Sequence, residues 1–273
     1  MITHGSKHLT TKKQVVLTDT RSCSGILRNF KLILEYDGTS FSGWQTQSKG
    51  LRTIQSHLEE KLERIFKKKI HCQASGRTDS GVHAIGQVAH FKVDTDVRPS
   101  LIHKALNCFL DRDLAVIKVS EVPLEFHAQK DVKNKTYRYT ILNRPYPSAL
   151  WRDRAYFYPH PLDLSVMRKT AKILKGTHDF KAFQSAASRS RIKDTTRTIK
   201  NLNIVKESDL IHISITSDGF LYKMVRNVVG ALIAVGSGRM QPESILKLLD
   251  SKERIFAPKT APSYGLCLVS VRY

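Results

Sequence analysis

Three runs of alternating apolar residues narrow the folds open to this chain. Leu32, Leu34 and Tyr36 are spaced by Ile33 and Glu35, Tyr137, Tyr139 and Ile141 by Arg138 and Thr140, and Ile211, Ile213 and Ile215 by His212 and Ser214. A period of two sends successive side chains to opposite faces, so each run reads as a strand with one face for a core. The first ends at Asp37-Gly38, a turn signal. Other stretches keep the helical period. Over 53–69, Ile54, Leu58, Leu62, Ile65 and Phe66 fall on one face, with Glu60/Arg64 and Glu63/Lys67 as i,i+4 pairs outside. Ser100 is positioned to cap a helix carrying Leu101, Ala105, Leu106 and Phe109. Further helices are expected over 162–175, closed by Gly176, over 221–235, ahead of Gly236-Ser237-Gly238, and over 242–250. Short strands are expected over 70–75, 87–93, 115–119 and 266–271.

Strands and helices are thus mixed, and some strand pairs lie close enough in sequence to be antiparallel, which makes the class α+β with two sheet-bearing halves. The segment 121–133 is the boundary candidate. It divides an N-terminal domain, 31–124, from a C-terminal one, 125–273, and leaves residues 1–30 as a basic, disordered extension.

Charge restricts the partner. Lys and Arg number 45 against 24 Asp and Glu, a formal net charge of +21, while residues 1–30 hold Lys7, Lys12, Lys13, Arg21 and Arg28 against Asp19, only four of those charges. The body is therefore basic in its own right. Such a field favours a polyanion through counterion release, nucleic acid before membrane. A spanning helix is excluded, because the most apolar stretch, Met224 to Val235, carries Arg226 and Asn227 and falls short of the roughly 20 apolar residues required. Cys23, Cys72, Cys108 and Cys267 are scattered without a C-x-x-C pair, which speaks against a zinc site or disulfide framework and for a reducing compartment, the cytoplasm. The Ser/Thr/Lys-rich start lacks a secretory apolar region; an organellar transit peptide stays open as the alternative to a disordered tail.

The densest polar cluster is Ala74-Ser75-Gly76-Arg77-Thr78-Asp79-Ser80-Gly81-Val82-His83-Ala84. Two glycines and small residues describe a tight loop that can bring its backbone close to a ligand while projecting a carboxylate. By spacing alone, an Asx-type turn in which Asp79 binds nearby amides is an equal reading.

This loop, with four other segments in order, resembles the TruA family of tRNA pseudouridine synthases. Gly76 to Ala84 is similar to the family's signature loop, Tyr36-Asp37-Gly38-Thr39-Ser40-Phe41-Ser42-Gly43-Trp44-Gln45 to its opening strand and loop, and Lys135-Thr136-Tyr137-Arg138-Tyr139 to its tyrosine strand. Phe220 to Asn227 resembles its late helix and Gly265-Leu266 its closing strand, so the likeness spans 31–273. It implies two RNP-like (ferredoxin-like) domains flanking a basic catalytic cleft, and a homodimer in which one tRNA touches both protomers. The implied reaction is isomerisation of uridine to pseudouridine in the anticodon stem-loop, at positions 38–40, without metal or cofactor.

The resemblance makes Asp79 the nucleophile, Arg77 an arginine that pairs with it and helps hold the flipped nucleotide, Tyr137 the residue stacked on the base, and Arg226 a partner of the carboxylate; an arginine that contacts phosphate without acting on Asp79 is the plainer reading of Arg77. An arginine interrupting an apolar helix is itself a reason to expect a buried acid beside it, since an unpaired charge there is costly. Leu266 is implied as an apolar pocket residue, with Thr78, Gly81, His83 and Gln45 around the substrate. Arg189, Arg191, Lys193 and Arg197, with Lys200, form a basic strip for RNA backbone; a solvated charged face is the plainer reading of it. The chain departs from the family pattern at Gln129, Gln184 and Ser263, which touches RNA contact and not the reaction centre. A non-catalytic RNA-binding protein or RNA chaperone of the same fold is the rival reading, and a glycosidase or nuclease using Asp79 lacks a matched second acid.

Overall fold

The computed structural model describes residues 25–47, 50–185, 194–253 and 258–273. Most of the extension, residues 1–24, lies outside them; Leu27 to Phe30, at its end, already belong to the first strand. In chain order the elements are β1 (Leu27–Tyr36), α1 (Ile54–Phe66), β2 (Gln73–Ala74), β3 (His83–Asp94), α2 (Pro99–Phe109), β4 (Leu114–Val122), β5 (Asn134–Leu142), β6 (Tyr156–Phe157) and α3 (Leu164–Leu174). There follow β7 (Gly176–Asp179), β8 (Thr196–Glu207), β9 (Leu210–Ser217), α4 (Met224–Gly236), α5 (Ser244–Ser251) and β10 (Leu266–Arg272).

The α+β class holds, but the described strands form one sheet instead of two. Its order is β4-β1-β3-β10-β5-β9-β8-β7, with β2 beside β3 and β6 beside β5. The join is made by the last strand, which pairs parallel to β3 through Cys267 with His83 and Leu268 with Ala84, and antiparallel to β5 from Leu266 opposite Tyr139 to Arg272 opposite Asn134. Parallel pairing at the join makes the sheet mixed, whereas its other long ladders are antiparallel.

Register explains why the alternating runs matter. Tyr36, Ala84, Leu268, Tyr137, Ile215 and Leu202 are successive cross-strand partners, so their side chains share one face. All six are buried, and this row is the spine of a core that crosses the join without a break. Helices close over it: α2 packs on β4, and α3 on β8 and α4. Burying one large aliphatic side chain contributes about 1.5–3 kcal/mol, which is why the strands commit to this face.

Helix ends follow local chemistry. Thr53 caps α1 by accepting from the Ser56 amide, and Asp163 caps α3 by accepting from Ser165 and Val166. Ser100 is not the cap of α2: it sits inside the helix, because Pro99 already occupies the first turn and Arg98 precedes it. Gly176 does not close α3 either; Lys175 ends the helix and Gly176, at φ +102°, opens β7. The strand β8 is absent from the sequence reading for a physical reason. A bulge between Ile199 and Asn201 breaks the period of two, so the buried Ile199, Leu202 and Ile204 do not alternate along the chain.

Segment 121–133 is stitched down. The Asn29 amide donates to the carbonyls of Pro123 and Phe126, His90 Nδ1 accepts from the Ala128 amide, and the Tyr273 hydroxyl donates to the Ala128 carbonyl. Among the described residues no helix is long and apolar enough to cross a membrane.

Candidate active site

The loop from Ser75 to Val82 leaves the sheet between β2 and β3 and is anchored from behind. Thr78 is buried with its hydroxyl 2.9 Å from that of Tyr36, while Gln87 donates to the Gly76 carbonyl at 3.0 Å and accepts from the Ser75 hydroxyl at 2.8 Å. Burial pushes the Tyr36 phenol up to about 12, so it stays a neutral hydrogen-bonding post. From the front the loop meets residues 38–44. Trp44 N–H donates to the Thr78 carbonyl, and Ser80 Oγ to the Phe41 carbonyl. Contact is so close at Gly38 that a Cβ there would lie 2.1 Å from the Val82 carbonyl oxygen. With Thr78 turned inward, Arg77 and Asp79 face outward into a cleft of about 590 Å³.

Arg226 comes to the same point from 147 residues away. Its Nη1 donates to Asp79 Oδ2 at 2.7 Å, and the two side chains are only 14% and 21% exposed. Placement of the guanidinium depends on the chain that returns along α4. Arg226 Nε donates to the Ala261 carbonyl at 2.7 Å and its own carbonyl accepts from the Ala261 amide, while Asn227 accepts from Thr260 and donates to the Phe183 carbonyl. Gly230 permits that approach, because a Cβ there would stand 2.2 Å from the Lys259 carbonyl. The apolar helix therefore carries a charge at its first turn because that turn opens onto the cleft.

Tyr137 stands in the wall above the pair. It is 7% exposed and meets Phe220 edge to face, with centroids 5.1 Å apart. Burial, helped by Tyr36 and by the charge of Asp79, drives its phenol well above the usual tyrosine range. Among the described residues no group bonds its hydroxyl. Leu266, across the ladder from Tyr139, lines the same cleft, as do Gln45 and Thr78.

Other sequence candidates lie elsewhere. Arg77 lines the cleft and is exposed, yet no ion pair joins it to Asp79; the carboxylate's guanidinium partner is Arg226. His83 does not face the cleft. Its Nε2 lies 2.8 and 3.0 Å from the carbonyls of Asp153 and Tyr264 and its Nδ1 3.1 Å from the Gly38 amide, so it ties the loop's end to two other segments. Gly81, at φ +77°, lies against Ser263 and serves the turn, not the ligand space. Arg189, Arg191 and Lys193 fall outside the described residues. Arg197 opens β8, its Nη1 bound to the carbonyls of Asp194 and Thr196.

The sequence reading missed several cleft residues: Trp44, Lys135, Phe220 and Lys223. For Lys135 a signal was present, since it lies two residues before Tyr137 and so on the same strand face. Among the described residues the lining contains Arg77, Lys135, Lys223 and Arg226 against one acid, Asp79, an arrangement that can receive a polyanion and present it with a single carboxylate.

Comparison with known proteins agrees with this geometry. The matching family model, described as tRNA pseudouridine synthase, covers residues 32–129 and 170–273 and so takes in the loop, Arg226 and the closing strand. The class is that of the tRNA pseudouridine synthases, which are isomerases. The tRNA pseudouridine synthase A 2 of Clostridium tetani is 44% identical over 247 residues, 90% of this chain and 99% of that one. The tRNA pseudouridine synthase A of Acetivibrio thermocellus is 41% identical over 247 residues, 90% of this chain and 100% of that one. This chain belongs to the TruA family of that class. Among solved structures, a chain of the Cbf5-Nop10-Gar1 complex matches with a TM-score of 0.32 and 10% identity over 79% of this chain and 55% of that one, too distant to carry an argument.

Proposed function

We propose that the protein isomerises uridine to pseudouridine in the anticodon stem-loop of tRNA, at positions 38–40, with Asp79 as the nucleophile. The observation that carries this reading is the Asp79–Arg226 pair at 2.7 Å in a cation-lined cleft beneath Tyr137. In the reaction the N1–C1′ bond breaks, the uracil turns in place, and a C5–C1′ bond forms as C5 loses a proton and N1 gains one. Atoms and electrons balance within the substrate. What the protein must supply is a carboxylate for the sugar or pyrimidine centre, a wall that retains the detached base, and exclusion of water. Asp79 serves the first need, held in direction by Arg226. Tyr137, a neutral phenol at physiological pH, gives the base a stacking surface and a hydrogen-bond donor, with Leu266 as an apolar neighbour. Arg77, exposed and without an acid partner, suits the phosphates of an extruded nucleotide.

The family likeness further supports a homodimer in which one tRNA touches both protomers, and a division into two RNP-like domains, 31–124 and 125–273. In favour of the division, among the described residues the strands before residue 125, β1 to β4, meet those after it through just two parallel residue pairs. A cytoplasmic site of action accords with Cys72, Cys108 and Cys267, which are unpaired.

Asp79→Asn tests the reading. The variant should form no pseudouridine on tRNA while binding it within about an order of magnitude of wild type. Retained turnover would remove Asp79 from the nucleophile's role, and a wild-type protein that binds tRNA but yields no product would instead be an RNA-binding protein or chaperone.

A further inference from the structure

Among the described residues, Lys135 is a half-buried cation of the cleft with no carboxylate partner. Lys135 lies on β5 opposite Val271 of β10 and Ser217 of β9, half-buried, and its side chain runs to the catalytic loop. A Cβ on Gly76 would stand 2.6 Å from Lys135 Nζ, so the loop's backbone is laid against the ammonium. The other charged groups of the cleft are Arg77, Lys223 and the mutually paired Asp79 and Arg226, with His71 and His127. Arg197 presses on it from β8, and the nearby Asp218 is turned to the Thr198 amide and the Ser217 hydroxyl. Among the described residues no carboxylate or carbonyl accepts from Nζ.

A half-buried ammonium at the wall of a ligand cleft, pressed by another cation, is stabilised only when an anion arrives. Spacing indicates which anion. Lys135 and Tyr137 share a strand face two residues apart, a span of about 7 Å, comparable with the distance from a nucleobase to its own backbone phosphate. We propose that Lys135 binds one of the two phosphodiesters of the flipped uridine, fixing the nucleotide's backbone while its base lies against Tyr137. This rests on the reading of the cleft as the uridine site. Burial, then the charge of Arg197, lowers the free ammonium to about 8, so the contact is charged at neutral pH and weakens as the pH rises past that value.

The test uses full-length protein and anticodon stem-loop RNA, either native or with one phosphate flanking the target uridine replaced by a neutral methylphosphonate, each flank in turn. Lys135→Met should lose about tenfold in affinity for native RNA and Lys135→Arg no more than about threefold, with the Lys135→Met salt slope reduced by about 1. On one flank the methylphosphonate should cost wild type the same tenfold and cost Lys135→Met less than twofold. Full, independent penalties on both flanks would overturn the contact. Between pH 7 and 9, wild-type affinity should fall while that of Lys135→Arg stays level, a comparison that holds even if Lys135→Met folds poorly; parallel curves would also overturn it. If the cycle closes but wild type forms no pseudouridine, the phosphate contact stands and the proposed reaction fails. Pseudouridine formed without coupling gives the reverse.

Discussion

Replacing Arg226 by Met probes the pair at the centre of the cleft. The substitution keeps a long apolar stem in α4 and removes two hydrogen bonds, Nη1 to Asp79 and Nε to the Ala261 carbonyl, both 2.7 Å. Removing one partner of a fully buried pair costs about 3–5 kcal/mol, whereas exposed pairs contribute under about 1 kcal/mol. Side-chain exposures of 14% and 21% place this pair between those limits. We expect a loss of about 2 kcal/mol in stability, within the range of about 1.5–3 kcal/mol for hydrogen bonds to charged groups. If the same interaction orients the carboxylate in the transition state, about 2 kcal/mol on the barrier is roughly a 30-fold slower single turnover. Urea denaturation reads the first quantity. Release of label from C5 of the target uridine, with enzyme in excess, reads the second. In the Asp79→Asn background no buried charge is left unpaired, so Arg226→Met should then cost at least about 1 kcal/mol less than in wild type. Arg226→Met turning over within threefold of wild type, or stability losses that simply add, would refute the orienting role.

Gly38→Ala should destabilise by about 1–3 kcal/mol and slow turnover as well, since its Cβ would overlap the Val82 carbonyl oxygen of the loop that bears Asp79; a urea midpoint equal to wild type would contradict the close approach. Asp113 is held below the usual carboxylate range by Arg52, which donates to both its oxygens at 2.5 and 2.9 Å. A depressed folded-state value means the contribution is present above the unfolded value of 3.8 and lost as pH falls through the folded one, so the stability gap between wild type and Asp113→Asn, measured by urea melts, should close below pH 4. Affinity for tRNA should fall by about three orders of magnitude between 50 and 200 mM salt, as about six phosphate contacts would dictate. Removing residues 1–24 should leave that slope nearly unchanged; a collapse of the slope would move the RNA-binding charge into the tail.

Local pattern made most elements readable. The alternating runs around Tyr36, Tyr137 and Ile213 became β1, β5 and β9, and the helical periods became α1, α3 and α4, since burial of one face has the same period in sequence as in space. Boundaries shifted where capping chemistry had a competitor, as at Ser100 beside Pro99. The bulge hid β8, and β6 and β7, of two and four residues, are too short to show a period. In the site, family-like motifs pointed to Asp79, Tyr137, Arg226, Leu266, Gln45 and Thr78, all of which meet in one cleft. His83 and Gly81 belong to the same motif but hold the loop's far end, a distinction that depends on which segments pass behind it.

By itself the sequence determined the α+β class, the polyanion-binding charge, the identity of the loop that bears the carboxylate and the need for an acid beside an arginine in an apolar helix. The loop follows from its resemblance to a family motif, the rest from composition and short-range periodicity, which the chain carries wherever it is folded. Only the tertiary structure decided that the last strand joins both halves into one sheet, that Arg77 stands free of Asp79, and that Lys135 reaches Gly76 without a counterion. Each of these depends on contacts between segments far apart in the chain. Such contacts are fixed by strand register and by how closely backbone can pass at Gly38, Gly76 and Gly230, quantities that no local pattern records.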